Sequence, residues 1–437
     1  MGVIQASIPI FFLLIAAELA GARVRGHRVA RLNDSIADLS LGILSQLTGI
    51  ATKLLTVGLF AWVGARWSAP AVGLAPAWPA AEPATATGAL TWTIGFLLVD
   101  LAYYWSHRLS HEVNILWAGH VVHHSSEEYN LTVALRQSSL HGLFTWVFYL
   151  PLAVLGMPWE MFVVCYGLNL VYQFWIHTRE VGRLGVLEWF LNTPSHHRVH
   201  HGVNPKYQDR NYAGVFIIWD RLFGTFTPEE EEPVYGITKP LASWNPLWAN
   251  VHVFAEIGRN LRRAQRWRDR LRVVFGSPSW RPPEAGPPIV PPEVSVAVFE
   301  KYDPPVPAPL SRYALVQFLV ALAASVALLE AAGTLPLPQL LAAGFYVVLT
   351  LSNLGSLLEL RRWVTPLEVT RHVVLAGSAA VLLATASAPA WLAGAGLGIS
   401  LASLGWFLAA RRWLESPELA AATAGGGGGV RGVTPAA

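Results

Sequence analysis

Long apolar runs alternate with polar stretches along the chain. Seven of these runs carry few charges and are close to the length of about 20 residues that a helix needs to cross a bilayer. We predict membrane spans at residues 4–20, 39–63, 90–105, 313–331, 337–356, 369–386 and 390–410. Two further apolar runs, 140–155 and 161–176, are separated by Gly156, Met157 and Pro158. Because glycine and proline mark turns, this pair predicts a helical hairpin that dips into the membrane and returns.

Composition supports this interpretation. Of the 437 residues, 53% are hydrophobic and 14% are charged, and the mean hydropathy is +0.40. A soluble domain carries about 25% charged residues, so the chain is predicted to be an all-α polytopic integral membrane protein. The N-terminal run lacks a preceding basic region and predicts a membrane helix, not a cleaved signal. The single cysteine, Cys165, rules out an intramolecular disulfide. The net charge of +3 comes without a nucleic-acid-binding pattern, so no nucleic-acid partner is expected.

Basic residues predict the orientation of the spans. Arginines concentrate in alternate loops, whereas the opposite loops hold only Arg66. Since arginine-rich loops stay in the cytoplasm, the polar regions 106–139 and 177–310 should form a cytoplasmic cap, with the N-terminus outside. Within the cap, arginines between 259 and 272 alternate with apolar residues. This pattern predicts one basic amphipathic helix at the membrane surface.

Histidines are concentrated in the same polar regions. Most of the 14 lie between His107 and His201, in three groups with spacings of three or four residues. Residues at these spacings share a helix face, so each group can direct its imidazoles toward one point. The groups contain His107, His111, His120, His123, His124, His197, His200 and His201. One structural zinc takes four ligands, so eight imidazoles predict two metals in a shared site. Ligand type alone leaves zinc, iron, copper and nickel open. Unrelated surface histidines are the alternative, and three groups with helical spacing disfavour it.

Two residues outside the groups are further candidates. Asp100 shares a helical stripe with His107 and His111 and lies roughly 10 Å from His107 along a helix axis. Asp100 should therefore support the site from outside the metal ligands, or form a buried hydrogen bond between helices. His177 ends the predicted hairpin and is a candidate ninth ligand, with a neutral interfacial histidine as the alternative. His141 is assigned no role.

Longer runs around the histidines carry a resemblance to a known family. They are His107 to Asn114, Tyr129 to Gln137, Tyr172 to Thr178, Leu191 to Gly202, Asn211 to Asp220 and Leu222 to Phe226. With its His-x3-His, His-x2-His-His and His-x2-His-His motifs, the chain resembles the fatty acid hydroxylase superfamily, which also contains sterol desaturases. Within that superfamily it most closely resembles the alkylglycerol monooxygenases. The strong similarity covers residues 90–230.

The resemblance implies a membrane-bound non-heme enzyme with two iron ions, which uses O₂ to hydroxylate a lipid C–H bond. In alkylglycerol monooxygenases this carbon lies beside the ether oxygen, and the product collapses to an aldehyde and glycerol. The eight motif histidines are the implied metal ligands. Glu112, next to His111, is implied to lie near the site and joins Asp100 as a candidate catalytic residue. The implied partners are a bilayer lipid and an electron donor, either tetrahydrobiopterin or a ferredoxin or flavoprotein. No motif identifies a pterin pocket.

These features divide the chain into five predicted parts. They are N-terminal spans and a linker at 1–88, a di-metal catalytic domain at 89–240, a basic and Pro-rich cytoplasmic segment at 241–310, a four-span region at 311–412 and a disordered tail at 413–437. Two other functions remain open. A sterol or carotenoid hydroxylase or desaturase would use the same histidines. A metal transporter would place its ligands near the middle of the membrane, whereas these histidines lie at helix ends and in polar loops.

Overall fold

The computed structural model describes residues 3–74, 78, 85–387 and 389–414. Parts of the predicted linker and the predicted tail from residue 415 onward lie outside the described residues. The helices are α1 (Val3–Val24), α2 (Leu32–Trp67), α3 (Ala86–Glu112), α4 (Asn114–His124), α5 (Leu131–Ala134), α6 (His141–Thr145), α7 (Leu150–Val154), α8 (Trp159–Trp175), α9 (Pro194–His200), α10 (Ile218–Phe223), α11 (Pro246–Arg263), α12 (Trp267–Phe275), α13 (Ala308–Ala331), α14 (Leu337–Leu358), α15 (Val364–Ala384) and α16 (Ala390–Ala410). The described residues form no strand beyond two isolated bridges.

Seven helices are long and apolar enough to cross a membrane, namely α1, α2, α3, α13, α14, α15 and α16. The predicted all-α polytopic fold is therefore confirmed. The helix α2 starts seven residues before the predicted span. Its first turns are polar, and Asp34 and Asp38 are buried there. Asp38 forms an ion pair with Arg136 at 3.0 Å, and Asp34 accepts a hydrogen bond from Ser126 at 2.7 Å. The extra turns are stable because the cap covers them.

The described residues pack into two units. One comprises Met1–Ala242 with Pro246–Tyr302, and the other comprises Ser243–Asn245 with Asp303–Ala437. In the first unit α3 packs against α8. Val99 of α3 contributes to a buried apolar core that also contains Phe60 of α2, Phe162 of α8 and Leu152 of α7. This core holds α3, and hence the first histidine group at its end, against the hairpin.

The predicted hairpin exists, although its first arm is not one helix. This arm consists of α6, a 3₁₀ turn at Trp146–Tyr149 and α7. Both arms are shorter than a bilayer-crossing helix. The turn depends on Gly156, which has φ +90°, and a Cβ there would lie 2.8 Å from Pro70. A side chain at this position would be strained and would collide with the segment after α2.

The predicted single basic helix at 259–272 is wrong. The helix α11 ends at Arg263, and α12 begins at Trp267 after an extended Arg266. The break has a packing reason, because Ile257 of α11 and Val273 of α12 are both buried against Ala118 of α4. One straight helix would carry Val273 beyond the reach of α4. The two helices therefore cover the element that carries the second histidine group.

The second unit contains α13 to α16. Its buried polar centre is the ion pair between Glu368 and Arg371 of α15. Arg371 lies within α15 and is buried there. The Arg371 guanidinium donates to Gln317 of α13 at 2.9 Å and to Tyr346 of α14 at 3.0 Å. Gln317 in turn donates to Ser403 of α16. This network joins all four helices.

Candidate metal centre

Three helix ends supply the histidine side chains. His107 and His111 lie in the last turns of α3, and the second group ends α4. The third group lies on α9, which begins at Pro194 and ends with His201 as its C-cap. Proline fits the first position of a helix because its missing N–H would have no partner there. All of these side chains are buried to nine-tenths or more.

The nine predicted histidines come together in two groups. One contains His107, His111, His120, His124 and His200, and the other contains His123, His177, His197 and His201. Within each group, one nitrogen per residue lies within 4.8 Å of the others. The groups are adjacent, because the imidazoles of His124 and His201 stack with their centroids 4.3 Å apart. His177 thus lies with the motif histidines, although it belongs to none of the three motifs.

Backbone carbonyls fix which ring nitrogen faces inward. The Nδ1 atoms of His107, His123, His177 and His200 lie 2.7–3.0 Å from the carbonyl oxygens of Tyr212, Arg136, Gln173 and Arg210. A carbonyl oxygen can only accept, so each Nδ1 must carry the proton. In a neutral imidazole the other nitrogen then presents a lone pair. The backbone thereby turns four Nε2 lone pairs into the centre.

Ring nitrogens in the centre face one another at short range. The Nε2 atom of His177 lies 3.1 Å from that of His123 and 3.0 Å from that of His197. In the other group, the Nε2 of His120 lies 3.0 Å from that of His107 and 3.1 Å from that of His124. Such contacts repel unless a proton or a cation lies between the nitrogens. Hydrogen bonds from the far side of the ring to carbonyls are also the usual support of metal-bound histidines. The donor set therefore fits a cation in each group.

The electrostatics keep these rings neutral. Burial, followed by the neighbouring imidazoles, lowers the pKa of His120, His124, His197 and His201 well below the ordinary value. Burial also lowers the pKa of His177 to about 3 and that of His200 to about 4. An imidazole that stays neutral keeps its lone pair available for a metal.

The two predicted acidic residues lie outside both groups. Asp100 is fully buried and accepts hydrogen bonds from the backbone N–H groups of Val215 and Phe216, from the Trp219 indole and from Asn169. It holds the segment that carries Tyr212, the partner of His107. Glu112 forms an ion pair with Arg108 at 2.9 Å and is more than one-third exposed. Neither carboxylate is hydrogen-bonded to a histidine among the described contacts.

The loop that orients His107 was not predicted from the sequence. Asp220 accepts from the backbone N–H groups of Tyr212 and Ala213, both at 2.8 Å. Gly214 is required there, because a Cβ would lie 2.8 Å from Asp100. The run Asn211-Tyr-Ala-Gly was noted only for its resemblance, and the compact turn it encodes was the available signal. His141, assigned no role, is half-buried, with its ring 5.0 Å from that of His120 and outside both groups.

Two adjoining cavities reach the centre. The larger has a volume of about 330 Å³ and is lined by His111, Trp117 and polar residues of α11 such as Glu256 and Asn260. The smaller, of about 50 Å³, is lined by His111, His124, His200 and His201. Trp117 and Asp209 line both. Within the described residues, the only membrane-crossing helix that lines them is the end of α3.

A multi-pass helical protein with a buried, all-imidazole centre at its helix ends defines the class of membrane-bound lipid hydroxylases. Comparisons with known proteins agree. The fatty acid hydroxylase family model matches residues 92–225, and the model of the alkylglycerol monooxygenase C-terminal domain matches residues 310–389. No solved structure gives a significant match.

The chain is 40% identical over 370 residues to alkylglycerol monooxygenase from Xenopus tropicalis, covering 83% of this chain and 78% of the relative. It is 38% identical over 384 residues to the Homo sapiens alkylglycerol monooxygenase, covering 84% and 80%. A Rhizobium tropici ornithine lipid hydroxylase is 30% identical over 152 residues, covering 34% and 46%. The chain belongs to the alkylglycerol monooxygenase family. It is an oxidoreductase of the lipid monooxygenase class, which decides against the transporter alternative.

Proposed function

We propose that this protein is a di-iron monooxygenase that cleaves the ether bond of alkylglycerols. The observation that carries the proposal is the pairing of two neighbouring imidazole groups whose lone pairs are turned inward by backbone carbonyls. Five and four neutral nitrogen ligands support two divalent ions. Iron is the ion that the resemblance to di-iron hydroxylases favours, since imidazole itself is not selective.

The proposed reaction balances with one O₂, two electrons and two protons. One oxygen atom is inserted into the C–H bond beside the ether oxygen, and the other leaves as water. The resulting hemiacetal then breaks into a fatty aldehyde and glycerol. When bound, the metals would supply the activation of O₂. The ether oxygen would make the adjacent C–H bond the easiest to oxidise, because it stabilises positive charge that develops on that carbon.

The protein residues would hold the metals and position the lipid. The nine histidines would be the ligands, and Asp100 would keep the Tyr212 loop against His107. Glu112 would act near the site. Asp209 lines both cavities. Burial raises the pKa of Asp209, and the nearby Glu112 carboxylate raises it further. Glu112 is thus close to the polar approach to the centre.

The electron donor is proposed to reach the centre from the polar side. The larger cavity ends at His111, and its volume lies in the usual range for a small-molecule site. A reduced pterin could enter this cavity, whereas a ferredoxin or flavoprotein would dock outside it. This side is proposed to face the cytoplasm, since the arginine-rich loops lie with the cap.

The test is an assay of purified enzyme with a 1-O-alkylglycerol, with tetrahydrobiopterin in one arm and a ferredoxin or flavoprotein donor system in the other. We expect fatty aldehyde only when O₂ and a reductant are both present. Aldehyde formation with the pterin alone supports a small-molecule electron donor. Aldehyde formation with the protein donor alone shows that a ferredoxin or flavoprotein supplies the electrons. If no donor supports ether cleavage while a sterol or carotenoid is hydroxylated, the proposed substrate is wrong.

A further inference from the structure

An exposed apolar patch lies on the short loop that leads into the third histidine group. The patch comprises Val186, Leu187, Trp189 and Phe190, and we call it the aromatic loop patch. All four residues are exposed, with Val186 at 75% and Trp189 at 65%. Contiguous exposed apolar surface of this kind marks a site of interaction. The question is what covers it.

Contacts with α3 define the membrane depth of the neighbouring segment, from Phe216 to Phe223. Phe216 packs edge-to-face on Phe96, with centroids 6.0 Å apart, and Phe223 packs on Trp105 at 5.0 Å. Phe96 lies within the predicted span 90–105, about 24 Å before the end of α3 at a rise of about 1.5 Å per residue. The segment from Phe216 to Phe223 therefore runs beside the membrane-crossing part of α3. It is too short to cross the membrane itself.

The aromatic loop patch is tied to this segment by backbone hydrogen bonds. Ile217 donates to the Phe190 carbonyl at 3.0 Å, and Asn192 donates to the Val215 carbonyl at 2.7 Å. The patch therefore lies at the same depth. Irregular backbone is tolerated at membrane depth only where protein satisfies its polar groups. Asp100 does this for Val215 and Phe216, which gives a reason for an acidic residue within a membrane helix.

The chemistry of the surrounding residues fits a lipid surface. Tryptophan is enriched near the ends of membrane spans. Arg221 lies over the rings of Phe226 and Trp189, at 3.8 Å and 5.5 Å, beside Leu222. Its guanidinium can meet phosphate groups while the apolar side chains face the acyl chains.

We propose that the aromatic loop patch lies among the acyl chains of the membrane leaflet next to the histidine centre and presents membrane lipid to that centre. Leu191, at the end of this loop, lies only six positions before His197. The loop is also hydrogen-bonded to α9, because Glu188 accepts a hydrogen bond from Ser195 at 2.8 Å. Anchoring this loop in that leaflet would fix the height of the centre relative to the lipid chains. The second test below rests on the proposed function, and the first does not.

The first test measures depth. Leu187→Cys in a Cys165→Ser background is labelled with a small fluorophore and reconstituted into vesicles with or without brominated lipids. Matched variants carry the label at Leu13 of α1, which is 70% exposed in a span, and at Glu230, an exposed acidic residue of the cap. We expect brominated lipids to quench Leu187 and Leu13 but not Glu230. Absence of quenching at Leu187 overturns the proposal, and burial there against a second copy, seen as a larger oligomer, also overturns it.

The second test measures lipid presentation. Trp189→Ser with Phe190→Ser should raise KM severalfold for a long-chain alkylglycerol in vesicles while kcat is unchanged. A short-chain alkylglycerol that is soluble as a monomer should be turned over normally. Val298→Ser, which removes another exposed apolar side chain, serves as control and should change neither. Equal losses of activity on the long-chain and the short-chain alkylglycerol would show that the loop has only a structural role and would overturn the proposal. Quenching at Leu187 without activity on any alkylglycerol would instead refute the proposed function alone.

Discussion

Backbone carbonyls orient four imidazoles in the centre, and the partner of His107 is far away in the sequence. The carbonyl of Tyr212 is 105 residues from His107, and Tyr212 is itself held by Asp220. The histidine motifs predicted which residues meet, because helical spacing is a local property. They could not predict the tautomer, since the carbonyls that set it come from other elements. His177 shows the same limit, because only folding places it beside His123 and His197.

Removal of one ligand should lower both metal content and activity. We expect His123→Ala to lose activity by at least about a hundredfold, the upper range for disrupting ligand support, and to retain fewer metal ions than the unaltered protein. His196→Gln is the matched control, since His196 neighbours His197 but belongs to neither group. Metal analysis and the ether-cleavage assay provide the measurements. Unchanged metal and activity in His123→Ala would show that His123 is not a ligand.

Loss of the Asp100 charge should destabilise the loop that it holds. In the native protein the Val215 N–H and the Trp219 indole donate to Asp100. An asparagine at this position keeps one oxygen, and its N–H₂ group faces donors that need an acceptor. A buried donor left without an acceptor costs about 1–3 kcal/mol, so Asp100→Asn should lower the thermal unfolding midpoint. Glu160→Gln, an exposed acid on α8, should leave it unchanged. Equal midpoints in both variants would contradict the assigned role of Asp100.

Glu112 should affect turnover and not metal binding. Its carboxylate pairs with Arg108 and lies outside both imidazole groups. We expect Glu112→Gln to lower the rate of ether cleavage while the purified protein keeps its full metal content. Steady-state kinetics and metal analysis on the same sample separate the two effects. Loss of metal in this variant would make Glu112 part of the metal-binding structure.

At the scale of elements, hydropathy predicted the seven spans but not how the other helices break. The spans were predictable because lipid demands long apolar helices. The break at Ala264–Arg266 was not, because it serves the burial of Ile257 and Val273 against α4. The alternation of arginine and apolar residues at 259–272 is compatible with one continuous helix as well as with α11 and α12. The early start of α2 was also missed, since its polar turns are stable only through Arg136 and Ser126.

The four-helix network in the second unit gives a test at the same scale. Breaking a buried ion pair from one side costs about 3–5 kcal/mol, whereas replacing both partners by apolar residues costs much less. Arg371→Met should therefore lower the unfolding midpoint strongly, and Glu368→Leu with Arg371→Met should recover part of the loss. The comparison uses thermal unfolding of the purified chain. A double variant that is less stable than Arg371→Met would mean that the network contributes mainly through its hydrogen bonds to Gln317 and Tyr346.

For the whole molecule, the proposed orientation places the cap in the cytoplasm. In a Cys165→Ser background, Val72→Cys in the segment between α2 and α3 should react with an impermeant thiol reagent in intact cells. Glu230→Cys in the cap should react only after lysis. Both side chains are exposed, so shielding would reflect the membrane and not burial. The reverse labelling pattern would place the histidine centre on the outer side.

The proposed centre consists of two metal ions held by nine neutral imidazoles. The direct measurement is the metal-to-chain ratio of the purified protein, obtained by elemental analysis against a quantitative protein concentration. With iron supplied during expression, we expect about two ions per chain, a number argued from ligand count, with iron as the main metal. A ratio near one would contradict the dinuclear centre, and a protein that binds no metal would contradict the account as a whole.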